Sequence, residues 1–332
     1  MLTLYEDHQV SYGIDYNFEK VTFGEEWPYL YPTWIERIQQ SHISRYLIYH
    51  IYDRWTISPR ITLDTGLFLS YYSTKADYHS QDTLLGSFDS KIYDENTFNL
   101  NPRVGITANL GNNGVFRIAY QRRSTTGFLG ELAPVGVSGL IPPTFDMDFN
   151  AAQDLQGSIE CELTKKTFIK ALLGYAKLSD LIATGGDKMA QLWYSRVAIN
   201  QIISRHFSFS ARYHYNDSMY LDGSRRKLFG VPQNSGDARL VFIHPKEIYL
   251  CLRESYIGER YADSDNTVKL KGYFTTDFYA QKEILKKRVF LSFAINNIFN
   301  VKYETLSHPY YWYESALPAK GTTFSFRIEY RL

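Results

Sequence analysis

The last segment of the chain, GTTFSFRIEYRL at residues 321–332, decides how the rest of the sequence is interpreted. Apolar side chains occupy every second position, and polar or charged side chains lie between them. Because the side chains of a β-strand point alternately to its two faces, this spacing predicts a strand with one apolar and one polar face. The apolar face consists of Phe324, Phe326, Ile328, Tyr330 and Leu332.

The segment before it, VFLSFAINNIF at residues 289–299, alternates in the same way. Two such strands fit two kinds of all-β protein. In a transmembrane β-barrel the apolar face contacts lipid and the polar face lines the lumen. In a water-soluble sandwich the apolar face is the core. This hairpin alone does not distinguish the two.

Composition narrows the protein class further. The 332 residues leave room for two ordinary domains or one large all-β body. Tyrosine and phenylalanine, with 28 and 21 copies, are favoured both in strands and in the aromatic girdles of membrane barrels. No apolar run reaches the roughly 18 residues that a transmembrane helix requires. A net charge of +1 gives no electrostatic reason to bind nucleic acid.

The connections between the predicted strands distinguish the barrel from the sandwich, because long and short connections alternate along the whole chain. Transmembrane barrels have short periplasmic turns and long extracellular loops, whereas both ends of a sandwich face water. We therefore predict an antiparallel meander barrel with both chain ends periplasmic. The one candidate for a helix is PTWIERIQQS at 32–41, in the first long loop. The pattern gives about 14 strands: 9–21, 42–57, 61–73, 97–110, 114–124, 153–164, 167–181, 189–204, 206–217, 235–244, 247–259, 269–283, 288–299 and 321–332.

Four motifs in the right order give the chain a resemblance to a known family. NIFNVKY at Asn297–Tyr303, followed by Pro318 and Gly321, is similar to the end of the barrel of TonB-dependent outer-membrane receptors. NPRVGI and FRIAYQRR, at 101–106 and 116–123, resemble a strand pair of that family, and Glu131-Leu132 lies where an E-L pair often follows. RESYIGERY at 253–261 resembles one of its late extracellular segments. The match spans residues 97–332.

The resemblance implies a fold and a set of partners. The family has a barrel of 22 strands preceded by a plug domain and a TonB-binding box. We therefore expect residues 1–332 to be one partial barrel domain, the C-terminal part of such a barrel, without a plug. The N-terminal residues have Glu6 and Asp7 where a signal peptide has its apolar core, which agrees with an N-terminally truncated receptor. The implied location is the outer membrane, with lipid, the barrel-assembly machinery, TonB and the missing plug as partners.

No catalytic constellation appears in the sequence, and we predict that the chain is not an enzyme. GxSxG, HExxH and Walker motifs are absent, and the histidines are scattered. Cys161 lies on the apolar face of its predicted strand and Cys251 on the polar face, and neither belongs to a metal-binding spacing. We predict no metal and no cofactor.

Candidate ligand contacts lie in the predicted extracellular loops. Aromatic rings at Tyr310, Tyr311, Trp312 and Tyr313 would stack on a small-molecule ligand, or else belong to the aromatic girdle at the membrane interface. The pairs Arg122-Arg123 and Arg225-Arg226 would bind an anionic iron chelate or lipopolysaccharide phosphate, or else be solvated loop residues. The terminal strand, Phe324 to Leu332, would be the signal for barrel insertion.

Two functions of different classes follow from these observations. The first is a receptor barrel that imports a scarce nutrient of the iron-siderophore, cobalamin or glycan class, present as an N-terminally truncated piece. The second is a self-contained porin-like barrel of about 14 strands that passes solutes by diffusion. A soluble sandwich that binds carbohydrate is a weaker third reading.

Overall fold

The computed structural model describes residues 2–5, 7–28, 35–82, 87–124, 138–140, 149–181, 188–284, 288–306 and 316–331. Fifteen strands form one sheet in which neighbours along the chain pair antiparallel. Two small hairpins lie outside this sheet, β13 (Arg260–Tyr261) with β14 (Lys269–Leu270) and β17 (Glu304–Leu306) with β18 (Ala316–Pro318). The sheet strands are β1 (Leu2–Tyr5), β2 (His8–Pro28), β3 (Ile35–Ser58), β4 (Ile61–Asp82), β5 (Ser87–Asn109), β6 (Gly114–Ser124), β7 (Phe149–Thr164), β8 (Thr167–Leu181), β9 (Ala190–Ile202), β10 (Phe207–Tyr220), β11 (Asn234–His244), β12 (Ile248–Ile257), β15 (Tyr273–Ile284), β16 (Val289–Asn296) and β19 (Thr323–Tyr330).

The predicted all-β meander is confirmed. Each predicted strand corresponds to one strand of the sheet, and β1 is the additional one. The bounds of β6 and β8 agree with the prediction to the residue, because each begins at a tight turn. A single 3-10 turn, Gly111–Asn113, is the helical element of the described residues. Within these ranges no helix is long and apolar enough to cross a membrane.

The predicted helix at 32–41 is wrong from Ile35 onward, where β3 begins; residues 32–34 lie outside the described ranges. Residues 35–41 pair with β2 on one side, and residues 36–41 pair with β4 on the other. Hydrogen bonding to two neighbouring strands satisfies the backbone groups of this segment. Pairing with β2 and β4 therefore makes this segment a strand rather than a helix.

The first strands are much longer than predicted. β2, β3, β4 and β5 contain 21, 24, 22 and 23 residues, whereas about 9–11 residues span a bilayer. Their extra residues lie at the end away from the tight turn that joins β3 to β4. Most of the predicted loops 22–41 and 74–96 is therefore strand, and these two hairpins project beyond the span.

The two faces of the sheet differ in polarity as the barrel prediction requires. On β2, Tyr12, Ile14 and Tyr16 are 64–65% exposed. The opposite face of the sheet buries polar groups, among them Asp64, Gln121 and Asp154, each 1% exposed. A soluble sandwich would bury the apolar face instead, so its arrangement is contradicted. We call the apolar side the outer face and the polar side the inner face.

The sheet has two edge strands, β1 and β19. In the part of the chain that the structure describes, β1 pairs only with β2 and β19 pairs only with β16. The outer-face residues of β19 continue the predicted alternation, with Phe324, Phe326 and Ile328 64–68% exposed. Leu332 lies outside the described residues.

Candidate functional site

A buried polar network crosses three strands of the inner face. The Tyr194 hydroxyl on β9 donates a hydrogen bond of 2.6 Å to Asp154 Oδ1 on β7, and Gln156 Nε2 donates one of 2.6 Å to Asp154 Oδ2. The Tyr194 ring reaches β7 by lying directly over Gly174 on β8, where a Cβ atom would overlap the ring. An isolated glycine within a strand signals such a close approach. Gly174 is therefore the signal in the sequence for this network, although neither Gly174 nor Tyr194 was among the predicted site residues.

Basic side chains dominate the inner face beside this network. Lys170 Nζ lies 2.5 Å from Glu160 Oε1, and Arg117 approaches the same carboxylate at 3.0 Å. Two strands further on, Arg212 lies 2.7 Å from Asp237 Oδ1. Arg239 shares Asp237 at 3.1 Å, so each carboxylate serves two cations. The inner face is therefore net positive near the tight-turn ends of β8 to β11.

Part of the long connection between β6 and β7 packs against the inner face. The Ser138 hydroxyl donates a hydrogen bond of 2.6 Å to the buried carboxylate of Asp64 on β4. Leu140 is 1% exposed and belongs to an apolar cluster with Leu172 and Leu192. Asp64 and Leu172 lie near the tight-turn ends of their strands. This loop segment therefore reaches deep into the interior rather than staying at the mouth.

At the opposite end of the sheet, two connections are clamped together by charged groups. Arg226 Nη2 lies 2.8 Å from Asp222 Oδ2, and Arg226 Nη1 also pairs with Asp265 of the next connection. The Asn266 side chain accepts from the Lys227 amide at 2.7 Å and donates to its carbonyl at 2.9 Å. Hydrogen bonds from the Ser224 hydroxyl and amide, and then from Arg226, hold the pKa of Asp222 well below its usual range.

A cavity of about 190 Å³ lies beside this clamp at the mouth of the inner face. Lys227, Arg260 and Lys269 contribute cations to its lining. Lys269 is paired with Glu259 at 2.5 Å, and Arg260 Nη2 donates to the Glu304 carbonyl at 3.0 Å. Lys227 is paired with Asp217 at 2.5 Å, and Glu259 also lines the cavity. The cavity therefore offers ammonium and guanidinium donors to a small polar group of a ligand.

In each of the two predicted arginine pairs, the structure gives the two side chains different surroundings. Arg122 and Arg123 point to opposite faces of β6, so they do not act as one pair; Arg123 is 6% exposed on the inner face. Arg225 is exposed in a turn with a φ of 58°, whereas Arg226 is engaged in the clamp. The aromatic residues Tyr310, Tyr311, Trp312 and Tyr313 lie outside the described residues.

Other predicted features can be located as well. Cys161 and Cys251 are free thiols, and Cys251 lines a groove of the inner face with Arg253, as the strand parity indicated. No group of three or more His, Cys, Asp or Glu side chains in the described ranges could hold a metal ion.

An antiparallel meander with an apolar outer face, a polar inner face and long connections at one end is the wall of an outer-membrane-type β-barrel. The fold is that of the barrel of TonB-dependent receptors, and the resemblance in sequence is thereby confirmed at the level of fold.

Individual solved receptors show this likeness. The ferric yersiniabactin uptake receptor FyuA from Yersinia pestis aligns with a TM-score of 0.75 and 15% identity, over 99% of this chain and 52% of that one. The ferric-catecholate import receptor Fiu from E. coli K12 gives 0.73 and 16%, over 97% and 52%. The siderophore receptor PiuA from Acinetobacter baumannii gives 0.72 and 15%, over 97% and 53%. The chain thus spans about half the length of these receptors. No protein-family profile and no curated protein sequence matches it.

Proposed function

We propose that the chain forms the barrel wall of a TonB-dependent receptor in the outer membrane, which takes up a scarce nutrient of the iron-siderophore, cobalamin or glycan class. The observation that carries the proposal is the combination of an exposed apolar outer face with a buried polar inner face in a meander of this fold. The solved receptors of similar fold include a ferric yersiniabactin receptor and a ferric-catecholate receptor, which favours the iron-siderophore class.

The proposal includes strands and a plug beyond the described residues. Unpaired backbone groups at the edges β1 and β19 are costly in lipid, where water cannot satisfy them. Strands that pair with these edges would close the barrel, and a plug would cover the polar inner face. In such a receptor ligand binds where barrel loops and plug meet, and TonB supplies the energy for transport. The described chain alone is then expected neither to couple energy nor to bind its ligand tightly.

The ligand would bind at the mouth of the barrel. The cavity lined by Lys227, Arg260 and Lys269 offers cationic donors, and the predicted aromatic loop, Tyr310 to Tyr313, would add stacking surfaces. An iron chelate with ionised oxygens matches this chemistry better than a neutral glycan does. Arg225 is exposed at the same end and would contact the ligand or lipopolysaccharide phosphate.

Uptake measurements test the proposal. Deleting the gene should abolish uptake of one radioactive ferric-siderophore in an iron-limited Gram-negative host. Removing TonB should abolish it to the same extent. Restoring the chain together with its remaining receptor segments should rescue uptake, and the chain alone should not. Uptake that persists without TonB would contradict the proposal.

The porin-like alternative is favoured by one observation. The Ser138–Leu140 segment packs on the inner face near the tight-turn end, as a constriction inside a diffusion pore would. Planar-bilayer recordings separate the two functions. A stable pore of single size formed by the chain alone would replace the receptor proposal with the porin-like one.

A further inference from the structure

We propose that the inner face carries a second binding site, deep below the mouth, for a small di- or trianion with carboxylate or phosphate oxygens. The site lies on β8, β9 and β10 near their tight-turn ends. Its cationic groups are Lys170, Arg196 and Arg212. This inference rests on the proposed transport function, in which the site would be a stop for an anionic solute on its way through the barrel.

The strand register builds the site around one small residue. Ala198 on β9 is directly opposite Lys170 on β8 and directly opposite Arg212 on β10. Adjacent strands are about 4.8 Å apart, so the two cationic side chains rise roughly 10 Å apart over a methyl group. Arg196 is the next inner-face residue of β9, on the mouth side of Ala198. Three cationic side chains therefore surround Ala198, whose methyl group leaves space between them.

Two of these cations form salt bridges with carboxylates on the strands that flank β8 and β10. Glu160 on β7 draws Lys170 away from Ala198, and Asp237 on β11 does the same for Arg212. The gap over Ala198 therefore stays open between them. The described residues provide no carboxylate partner for Arg196, whose guanidinium carbon instead lies 5.7 Å from the centre of the Tyr194 ring.

The charge balance of the site favours an anion. Arg117 and Lys170 share the carboxylate of Glu160, and Arg212 and Arg239 share that of Asp237. With Arg196, these cations exceed the two carboxylates by three positive charges. Charge-assisted hydrogen bonds to carboxylate or phosphate are the interactions that such guanidinium groups make best.

The loop between β6 and β7 supplies a roof. Gly139 and Leu140 line the same cavity as Lys170, Arg196, Arg212 and His214, and the cavity measures about 290 Å³. Gly139 has a φ of 74°, a conformation that suits glycine. Ser138 donates a hydrogen bond to the buried carboxylate of Asp64 on β4. This bond fixes the loop segment that covers the cavity. The volume is at the lower end of small-molecule sites, which suits a compact solute rather than a whole chelate.

Calorimetric titration with two probes tests the site. The protein would be extracted with detergent from the outer membrane of the native host. Any polypeptide that stays bound to it would be kept in the sample. Citrate tests carboxylate recognition, and pyrophosphate tests phosphate recognition. We expect at least one probe to bind, and Arg196→Gln to weaken it about tenfold through loss of a charge-assisted pair. Ala198→Asp should abolish binding, because its carboxylate would occupy the gap between Lys170 and Arg212.

Arg253→Gln is the matched control, since it removes an inner-face arginine that does not line this cavity. It should leave the affinity within a factor of about two. Equal affinity for the wild type, Arg196→Gln and Ala198→Asp would overturn the proposal. So would the absence of binding of both probes up to about 10 mM. If a probe bound only after a plug was removed, the three cations would be partners of an acidic group of the plug. That result would also overturn the proposal. Probe binding with these variant effects, in a protein whose gene can be deleted without any loss of siderophore uptake, would count against the proposed function alone.

Discussion

Gly174 offers the sharpest test of how the inner face is held together. In Gly174→Ala the new methyl group would overlap the Tyr194 ring, which must then move away from β8. Moving the ring breaks the 2.6 Å hydrogen bond from Tyr194 to the buried Asp154 carboxylate. Loss of a hydrogen bond to a charged group costs about 1.5–3 kcal/mol, and overpacking adds about 1–3 kcal/mol. The variant should therefore lose about 2.5–6 kcal/mol of unfolding free energy.

Guanidinium titration of the protein in lipid vesicles, followed by tryptophan fluorescence, measures this free energy. Gly157→Ala is the matched control, because its Cβ would meet only ordinary contact at 3.7 Å; it should change stability by less than about 1 kcal/mol. Tyr194→Phe isolates the hydrogen bond and should cost about 2 kcal/mol. In the double variant the two losses should not add, because both act through the same contact. A cost for Gly174→Ala no larger than that of the control would refute the reasoning.

Three further predictions concern the long-connection end and the orientation of the chain. Arg226→Gln should speed cleavage of its loop in limited proteolysis by releasing Asp222 and Asp265, while global stability stays close to that of the wild type because the pairs are exposed; unchanged cleavage would contradict the clamp. The pKa of Asp222 is lowered in the folded protein. The stability that Asp222 gives to the loop is therefore complete above the usual carboxylate pKa of about 4, and it is lost as the pH falls towards the lower pKa of the folded state. Pepsin should therefore cut the loop increasingly fast below about pH 4, and a pH-independent cleavage pattern would count against this. In intact cells an impermeant thiol reagent should label a cysteine at Arg225 but not one at Lys165; the reverse result would invert the topology.

The alternation of polar and apolar residues predicted most of the strands of the sheet. The predicted first residues of β6 and β8 match the structure, because a tight turn directly precedes each strand. The extensions of β4 and β5 were not predictable in the same way. Residues 74–82 read TKADYHSQD, with no apolar face to reveal a strand, and they are held by pairing with β3 and β5.

The candidate sites depended on information that the sequence does not contain. Lys170 and Arg212 flank Ala198 only once the register of β8, β9 and β10 is known. Adjacency in sequence was misleading for Arg122 and Arg123, since neighbours along a strand point to opposite faces. Gly174 was the one local clue, and its meaning required knowing that Tyr194 lies on the next strand.

If this sheet is a barrel wall, its outer face contacts lipid. Spin labels placed one at a time along residues 207–215 of the protein in vesicles test this contact, through accessibility to oxygen and to a water-soluble nickel chelate. We expect a period of two, with oxygen accessibility highest at Phe207, Phe209, Ala211, Tyr213 and Tyr215. Nickel accessibility, or contact with neighbouring protein, should prevail at the positions between them. A uniform profile, or one in which these apolar positions are shielded from lipid, would contradict it.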